Sequence, residues 1–507
     1  MKPARSFEGS TPAAAADPRQ KRILIVDLNN FSTFPTLAIG ILVAALRNAG
    51  HAVRVLSPLA HDVPAAEREH AETYLDHIRR RIHLSTWAPF RETRDAIRGL
   101  RRWWLDRPHP RVLAETEREL RGRPDVVLLS AYMQHFASVT EIGRLAERHG
   151  VPMLLGGPMF NLDSAAEAWR AIPGLTAIIG AEADLSAPRI VATACAGGDL
   201  TAFSGVMLPD GRRSGPAPPL RRLDAAPIPD FSDFPWDRYR VRIVPIMASR
   251  GCQWAKCSFC SDVISVSGRS FRSRSADNVL HEIREQARRQ GTNKFLFLDL
   301  KLNSNPHLLR SIVEGMQRSV PGAEWIGTVH VDDRADNGLS RRELRDAVAS
   351  GMRRISFGLE SGSQAMLDAM KKGSSVEGNA EFIRTAHEAG LSIRCTMFKG
   401  YPGETAEDLD LSAEFLERHA DHLDRVRCNE FSIPAETPIH EAVTADPSAF
   451  PNLRLTGLDA RRAQVRYVSL DGRSPGYRRA KARLLRAVYD INRRKIRSSA
   501  RAFDGLM

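Results

Sequence analysis

Three of the chain's six cysteines, Cys252, Cys257 and Cys260, fall within nine positions of the stretch "GCQWAKCSFC". Thiols spaced this closely on one loop are within reach of a single inorganic centre. Two chemistries use such a set. Structural zinc takes four ligands, usually as two pairs of Cys or of Cys and His. Here only Cys257 and Cys260 form a close pair, and Cys195, Cys395 and Cys428 stand singly and far off. His281 and His330 are candidates to complete a zinc site, without a ligand-like spacing to the cluster. Cysteine thiolates also hold iron–sulfur clusters. Three of them on a four-iron cluster leave one iron open to a small molecule.

The elements around the loop repeat. It follows the apolar strand "RIVPIMAS", and strands and helices then alternate: helix 275–290, strand "KFLFLDL", helix 306–319, strand "EWIGTVHVD", helix 340–350 and strand "RRISFGLESGS". Helix 376–389, strand "SIRCTMFKGYPGET", helix 406–419 and strand "RVRCNEFSIPAETP" complete the series. Six strands alternating with helices predict a partial (β/α)6 barrel over 241–440, with its site at the C-terminal strand ends. Asp299, Glu360, Ser361, Gly400 and Glu404 stand at those ends. "ESGS" also reads as a helix cap and "PGET" as a turn.

The first part of the chain is α/β as well. "RILIVDL", "HAVRVLSP", "PDVVLLSAY", "VPMLLGGP" and "LTAIIGAE" read as strands separated by helices. They predict a doubly wound parallel sheet over 22–207, with a polar, Arg-rich helical insertion at about 59–123. Residues 1–21 read as a disordered leader and 208–240, rich in Pro and Asp, as a linker. Residues 441–507 read as a helical segment, whose stretch 477–501 pairs apolar residues at helical spacing with a basic face.

Hydrophobic residues make up 43% of the 507 residues, and the net charge is +13. The cations are spread along the chain among 60 acidic residues, which argues against a nucleic-acid groove. No apolar run approaches the ~20 residues of a membrane span. Six cysteines are too few for a disulfide scaffold, so a reducing, cytoplasmic setting is expected.

The cysteine stretch resembles the signature of the radical S-adenosylmethionine (SAM) superfamily, in which three cysteines lie on the loop after the first barrel strand. Four residues, Gln253 to Lys256, separate the first two cysteines, one more than the usual three. "FGLESGS" and "KGYPGET" resemble superfamily segments that line the SAM site. The resemblance implies a 4Fe-4S cluster on Cys252, Cys257 and Cys260, with Phe259 near the SAM adenine. It implies Glu360 and Ser361 near the ribose or methionine, and backbone at Gly400, Pro402 and Gly403 against the adenine or amino acid.

The first domain resembles a cobalamin-binding domain, with Ser130 and the pair Gly156–Gly157 in the places where that family contacts the cofactor's nucleotide tail. Tyr132 replaces the family's Leu. Asn29 stands where a His would supply a lower axial ligand, so no protein His ligand is expected there. Together the two resemblances imply a cobalamin-dependent radical SAM methyltransferase acting on an unactivated carbon of a metabolite or peptide. The alternatives are a non-methylating cyclisation or rearrangement, and a non-catalytic zinc- or cobalamin-binding module. The expected partners are a small-molecule or peptide substrate and a one-electron reductant such as flavodoxin or ferredoxin. Trp254, inside the cysteine loop, reads either as loop packing or as a contact to a cofactor.

Overall fold

The computed structural model describes residues 20–28, 33–63, 70–85, 96–97, 99–100, 107–263 and 266–506. Asn29, nearly all of the expected leader and parts of the expected insertion lie outside the described residues. Two compact units form. The first holds residues up to Ala66, Trp103–Pro218 and Ala225–Tyr239; the second holds Glu67–Arg102, Pro219–Asp224 and Arg240 onward. The Arg-rich stretch expected as one insertion is therefore divided between the units, and so is the stretch 208–240.

The first unit is built on a six-stranded sheet. Its strands are β1 (Arg22–Asp27), β2 (Ala52–Leu56), β3 (Val126–Ser130), β4 (Met153–Gly156), β5 (Leu175–Ile179) and β6 (Val206–Met207). The order is β2-β1-β3-β4-β5-β6. All pairs are parallel except β5 with β6. Ile23, Leu24, Ile25 and Val26 are almost wholly buried. Covered on both faces, such strands read as unbroken apolar runs rather than as alternation. The strand order reverses between β1 and β3, and open parallel sheets bind ligands at such a switch point.

The second unit is built on an open parallel sheet of order β14-β13-β12-β11-β10-β7. Its strands are β7 (Val244–Ile246), β10 (Lys294–Phe297), β11 (Glu324–Val329), β12 (Met352–Glu360), β13 (Ser392–Lys399) and β14 (Arg425–Glu430). Between β7 and β10 a small antiparallel ribbon, β8 (Ser249–Arg250) with β9 (Arg272–Ser273), brackets the cysteine loop. Caps fix the helices between strands. Ser275, Ser340 and Thr405 each accept a bond from the first turn of the helix they start, and Ser340 and Thr405 complete capping boxes with Glu343 and Asp408.

In the expected helical segment 441–507, Pro475–Asn492 is a helix with its apolar face buried. Ahead of it the chain makes an antiparallel hairpin, β16 (Leu453–Asp459) with β17 (Gln464–Ser469), and β17 also pairs β15 (Ile433–Pro434). "LRLTGLD" and "QVRYVS" carry β-branched and aromatic residues around Ala463, which turns the chain at φ 48°. The final turn, Ser498–Phe503, buries Ala500 and Phe503 completely. Among the described residues no helix is long and apolar enough to cross a membrane.

Candidate functional site

The cysteine loop leaves β7 under the control of Asp299, which lies just past β10. Its carboxylate accepts from the Ala248 N–H at 3.0 Å and from the Ser249 hydroxyl. Burial pushes the Asp299 carboxyl up to about 6 against these bonds. Cys252 N–H then bonds Gly268 O at 3.1 Å, and Cys260 N–H bonds Cys257 O at 3.4 Å. The extra residue between the first two cysteines is taken up by Ala255 in the left-handed region, at φ 46°. None of the three cysteines is in a disulfide, and each is half-buried.

A short helix that periodicity does not reveal, Gln364–Ala369, abuts this loop. Ser363 caps it and donates to Asp408 Oδ1 at 2.6 Å. The helix ends with Lys371 at φ 52°, its N–H bonded to Asp368 O, while the Lys372 N–H bonds Leu367 O. This is a Schellman ending with a lysine where glycine is usual. It turns Lys372 inward, where Nζ lies 2.8 Å from Glu360 Oε1, both side chains buried. Burial pulls the Lys372 pKa down, but Glu360 and the thiols of Cys257 and Cys260 outweigh it and the net shift is upward. Lys372 stays charged. Glu360 itself ends β12 at φ 59°, a strained conformation for a non-glycine residue. Ser361 is buried, with its hydroxyl 3.1 Å from that of Ser412 and accepting from the Ser363 N–H. The cap reading of "ESGS" thus applies to Ser363.

A second charged group stands at the ends of β10 and β11. Lys301 and Arg334 both pair with the buried Asp332. Lys301, Arg334 and His330 together hold the Asp332 carboxyl well below its usual range, although burial opposes them. Arg334 also reaches Gln253 of the cysteine loop at 2.7 Å. Burial pushes His330 down to about 4, leaving it neutral, and its Nε2 has no hydrogen-bond partner among the described residues. The sequence signal for these residues was modest: charged side chains directly after apolar strands in "LDLKLN" and "VHVDDR".

At the end of β13, Gly400 and Gly403 have φ 83° and 89°, with open space where a Cβ would stand. Pro402 between them is buried. Glu404 closes this turn, accepting from the Gly400 N–H at 2.6 Å and from the Tyr477 hydroxyl at 2.7 Å. Burial pushes the Glu404 carboxyl up to about 7. Tyr467 donates to Gly400 O and Phe431 O. Tyr401 is buried, 2.8 Å from Ser258 Oγ. Phe259 packs edge-on against Phe398, with ring centres 5.1 Å apart. The structure therefore gathers Cys257, Cys260, Phe259 and Glu360 around Lys372, with Cys252 close to Cys257 and Lys301, and sets the Gly400–Gly403 turn at the neighbouring strand end.

The remaining cysteines do not extend the set. Burial pushes the thiol of Cys395 up to about 12 and that of Cys428 up to about 11, so both behave as small apolar residues. His281 is exposed. Among the described residues no three His, Cys, Asp or Glu side chains converge as they would around one metal ion. A single zinc draws its sulfurs to ~2.3 Å of one point, whereas a four-iron cluster offers each cysteine an iron of its own. Three thiols outside any disulfide, two of them beside the Lys372 ammonium, suit an anionic thiolate-bound cluster.

In the first unit, Ser130 at the end of β3 is in register with Asp27 at the end of β1 and with Gly156 at the end of β4. Ser130 and Asp27 thus meet at the switch point, with Gly156 on the next strand. Gly157 has φ 150°, and a Cβ there would run into the carbonyl of Ala131. Close approach of backbone to backbone already demands this glycine. Asp27, buried and bonded by the Thr36 hydroxyl at 3.2 Å, was not singled out from sequence. With burial it raises the phenol pKa values of Tyr132 and Tyr239, which places both rings at this strand end. His135 accepts from the Tyr132 N–H at 3.1 Å and is held neutral by burial, its pKa down to about 4.

Residues 246–416 match the family model of the radical SAM superfamily. Over 303 residues the chain is 24% identical to an uncharacterised methyltransferase of Pyrococcus horikoshii, covering 58% of this chain and 64% of that protein. Over 204 residues it is 29% identical to the bacteriochlorophyllide d C-12(1)-methyltransferase of Chlorobaculum tepidum, covering 39% and 43%. The chain thus spans less than two thirds of the length of these curated relatives. The cobalamin-dependent SAM radical enzyme OxsB, with aqua-cobalamin bound, is similar with TM-score 0.66 at 16% identity, over 89% of this chain and 65% of that one. The radical SAM methyltransferase TsrM from Kitasatospora setae, with cobalamin and a 4Fe-4S cluster bound, is similar with TM-score 0.63 at 16% identity, over 92% and 89%. At such identities the likeness is one of fold. Residues 246–416, which hold the cysteine triplet, thus form a radical SAM domain, and the chain has the fold shared by OxsB and TsrM.

Proposed function

We propose that the protein is a cobalamin-dependent radical SAM methyltransferase acting on an unactivated carbon of a small molecule or peptide. One observation carries this reading: the likeness to OxsB and TsrM runs over 89% and 92% of the chain, far beyond residues 246–416. Methyltransferases among the sequence relatives point the same way.

In this reading 22–207 is the cobalamin-binding domain and 241–440 the radical SAM partial barrel. Cys252, Cys257 and Cys260 hold the 4Fe-4S cluster. Phe259, Glu360 and the turn of Gly400, Pro402 and Gly403 hold SAM, with Ser361 shaping the turn beside Glu360. Ser130, Gly156 and Gly157 form the cobalamin contact at the switch point of the first sheet. Bound there, these cofactors supply a carbon-centred radical and a transferable methyl group. The chain's own residues bind, orient and keep water from the reacting groups. A one-electron reductant such as flavodoxin or ferredoxin comes from outside. The six cysteines, none of them in a disulfide, suit the reducing cytoplasm.

A second reading keeps the site and changes the outcome to a cyclisation or rearrangement. It is favoured by 27% identity over 210 residues to the anaerobic magnesium-protoporphyrin IX monomethyl ester cyclase of Rubrivivax gelatinosus. The test is to supply the cobalamin-loaded protein with SAM, reductant and candidate acceptors, and to follow two products. A methyltransferase yields 5′-deoxyadenosine together with S-adenosylhomocysteine. 5′-Deoxyadenosine alone, with an altered acceptor, supports the second reading, and neither product refutes both.

A further inference from the structure

Two of the residues between Cys252 and Cys257, Trp254 directly and Lys256 through it, tie the loop to the turn that presents Lys372. Trp254 donates from Nε1 to Lys371 O at 2.8 Å. Its ring lies flat enough on Gly373 that a Cβ at that position would run into the indole carbons. Lys256 Nζ covers the ring at 4.9 Å from its centre. Beyond Cys257, the Ser258 N–H donates to Met370 O at 3.0 Å, and the Ser258 hydroxyl reaches Ala369 O. The cysteine loop therefore takes the end carbonyls of Ala369, Met370 and Lys371 in succession, from both sides of Cys257. Those carbonyls belong to the Schellman turn, and the residue after them is Lys372. Its Nζ stands 5.8 Å from the centre of the Phe259 ring, next to Cys260, and 2.8 Å from Glu360.

We propose that Trp254 is a positioning residue which holds the 371–373 turn so that the Lys372 ammonium faces the thiolates of Cys257 and Cys260, and that this contact raises the reduction potential of the cluster they bind. The inference rests on the cluster assignment under the proposed function. Reduction adds one negative charge to the cluster, and a cation in a poorly solvated site stabilises that state more than the oxidised one. The long spacing between Cys252 and Cys257 then has a use. It provides the extra residue, Ala255 at φ 46°, that lets the chain return to Cys257 after the indole has reached the turn. The glycine at 373 serves the same contact, since only a residue without a side chain admits the ring.

The experiment compares wild-type protein with Lys372→Met, Trp254→Ala, Trp254→Phe and the double variant Trp254→Ala/Lys372→Met. All are full-length and reconstituted anaerobically with iron and sulfide. Iron and sulfide per chain are measured first, then the midpoint potential by redox titration followed by EPR of the reduced cluster. The expected result is a shift to more negative potential in Lys372→Met and a shift of the same sign in Trp254→Ala. The double variant should be no more negative than Lys372→Met alone, because Trp254 acts through the lysine. Trp254→Phe keeps the ring on Gly373 and loses the N–H, so it should recover part of the shift, and it serves if Trp254→Ala does not fold. Wild-type potential in the tryptophan variants, or shifts that add in the double variant, would overturn the inference alone. Wild-type protein that binds no iron overturns the cluster assignment itself.

Discussion

At the residue scale, the thiols depend on one carboxylate that is not among them. Asp299 fixes both the backbone at Ala248 and the hydroxyl of Ser249, where the chain leaves β7 for the cysteine loop. Asp299→Ala leaves a buried N–H and a buried hydroxyl without acceptors, at a cost of about 2–4 kcal/mol. It should lower thermal stability and halve or worse the iron retained after desalting, while circular dichroism stays that of the wild type. Iron retention equal to wild type would show that the loop holds its shape without this anchor. The proposal of the three cysteines comes from the sequence itself, because their type and spacing carry the chemistry directly. Lys372 was not, because nothing in "MKKGSS" says that a short helix ends there or that Lys371 takes a left-handed conformation. A buried lysine is recognised from its carboxylate partner, and Glu360 lies 12 residues earlier in the chain.

At the element scale, the turn after β13 is held by a carboxyl group with an unusual proton affinity. Burial raises Glu404 from its ordinary 4.5 to about 7. Between those values the folded protein keeps a proton that the unfolded chain has lost. The group therefore weakens folding as pH rises from 4.5 to 7 and has no such effect below that window. Glu404→Gln cannot ionise. Its stability relative to wild type should climb through that window by a few kcal/mol, at ~1.4 kcal/mol for each pH unit crossed, and level off above it. Denaturant melts of both proteins at five pH values would check this, and a constant gap would contradict it. Most elements around this turn were readable from sequence. The helices 306–319 and 376–389 have the bounds that their periodicity and caps suggested. The hairpin of β16 and β17 was not readable, because its strands are largely solvent-exposed and lack a clean apolar alternation.

At the scale of the whole molecule, the second unit is closed at the N-terminal ends of its strands by the end of the chain. Arg354 on β12 is buried and donates to Phe503 O at 3.0 Å, and Arg425 on β14 pairs with Asp504 at 3.3 Å. Burial, then the neighbouring Arg394, pulls the Arg354 guanidinium down to about 10. Phe503 is fully buried. Phe503→Ala should cost about 3–5 kcal/mol and loosen the carbonyls that serve Arg354. The readout is a lower Tm with faster amide exchange along β12 and β14. Unchanged exchange there would mean that the tail only covers the unit. The two-part plan was visible as two strand–helix series split by a Pro-rich stretch, whereas the division of the Arg-rich insertion between the units depends on tertiary packing that periodicity does not encode. The proposed function needs both parts at once, with one chain carrying a three-cysteine iron–sulfur centre and a cobalamin. The most direct measurement is iron, sulfide and cobalamin per chain in protein purified anaerobically from cobalamin-fed cells, beside the Cys252→Ala/Cys257→Ala/Cys260→Ala variant. About four irons and four sulfides with bound cobalamin are expected in the wild type, and cobalamin without iron in the variant. Zinc in place of iron, or a loaded cluster with no cobalamin at any concentration supplied, would contradict it.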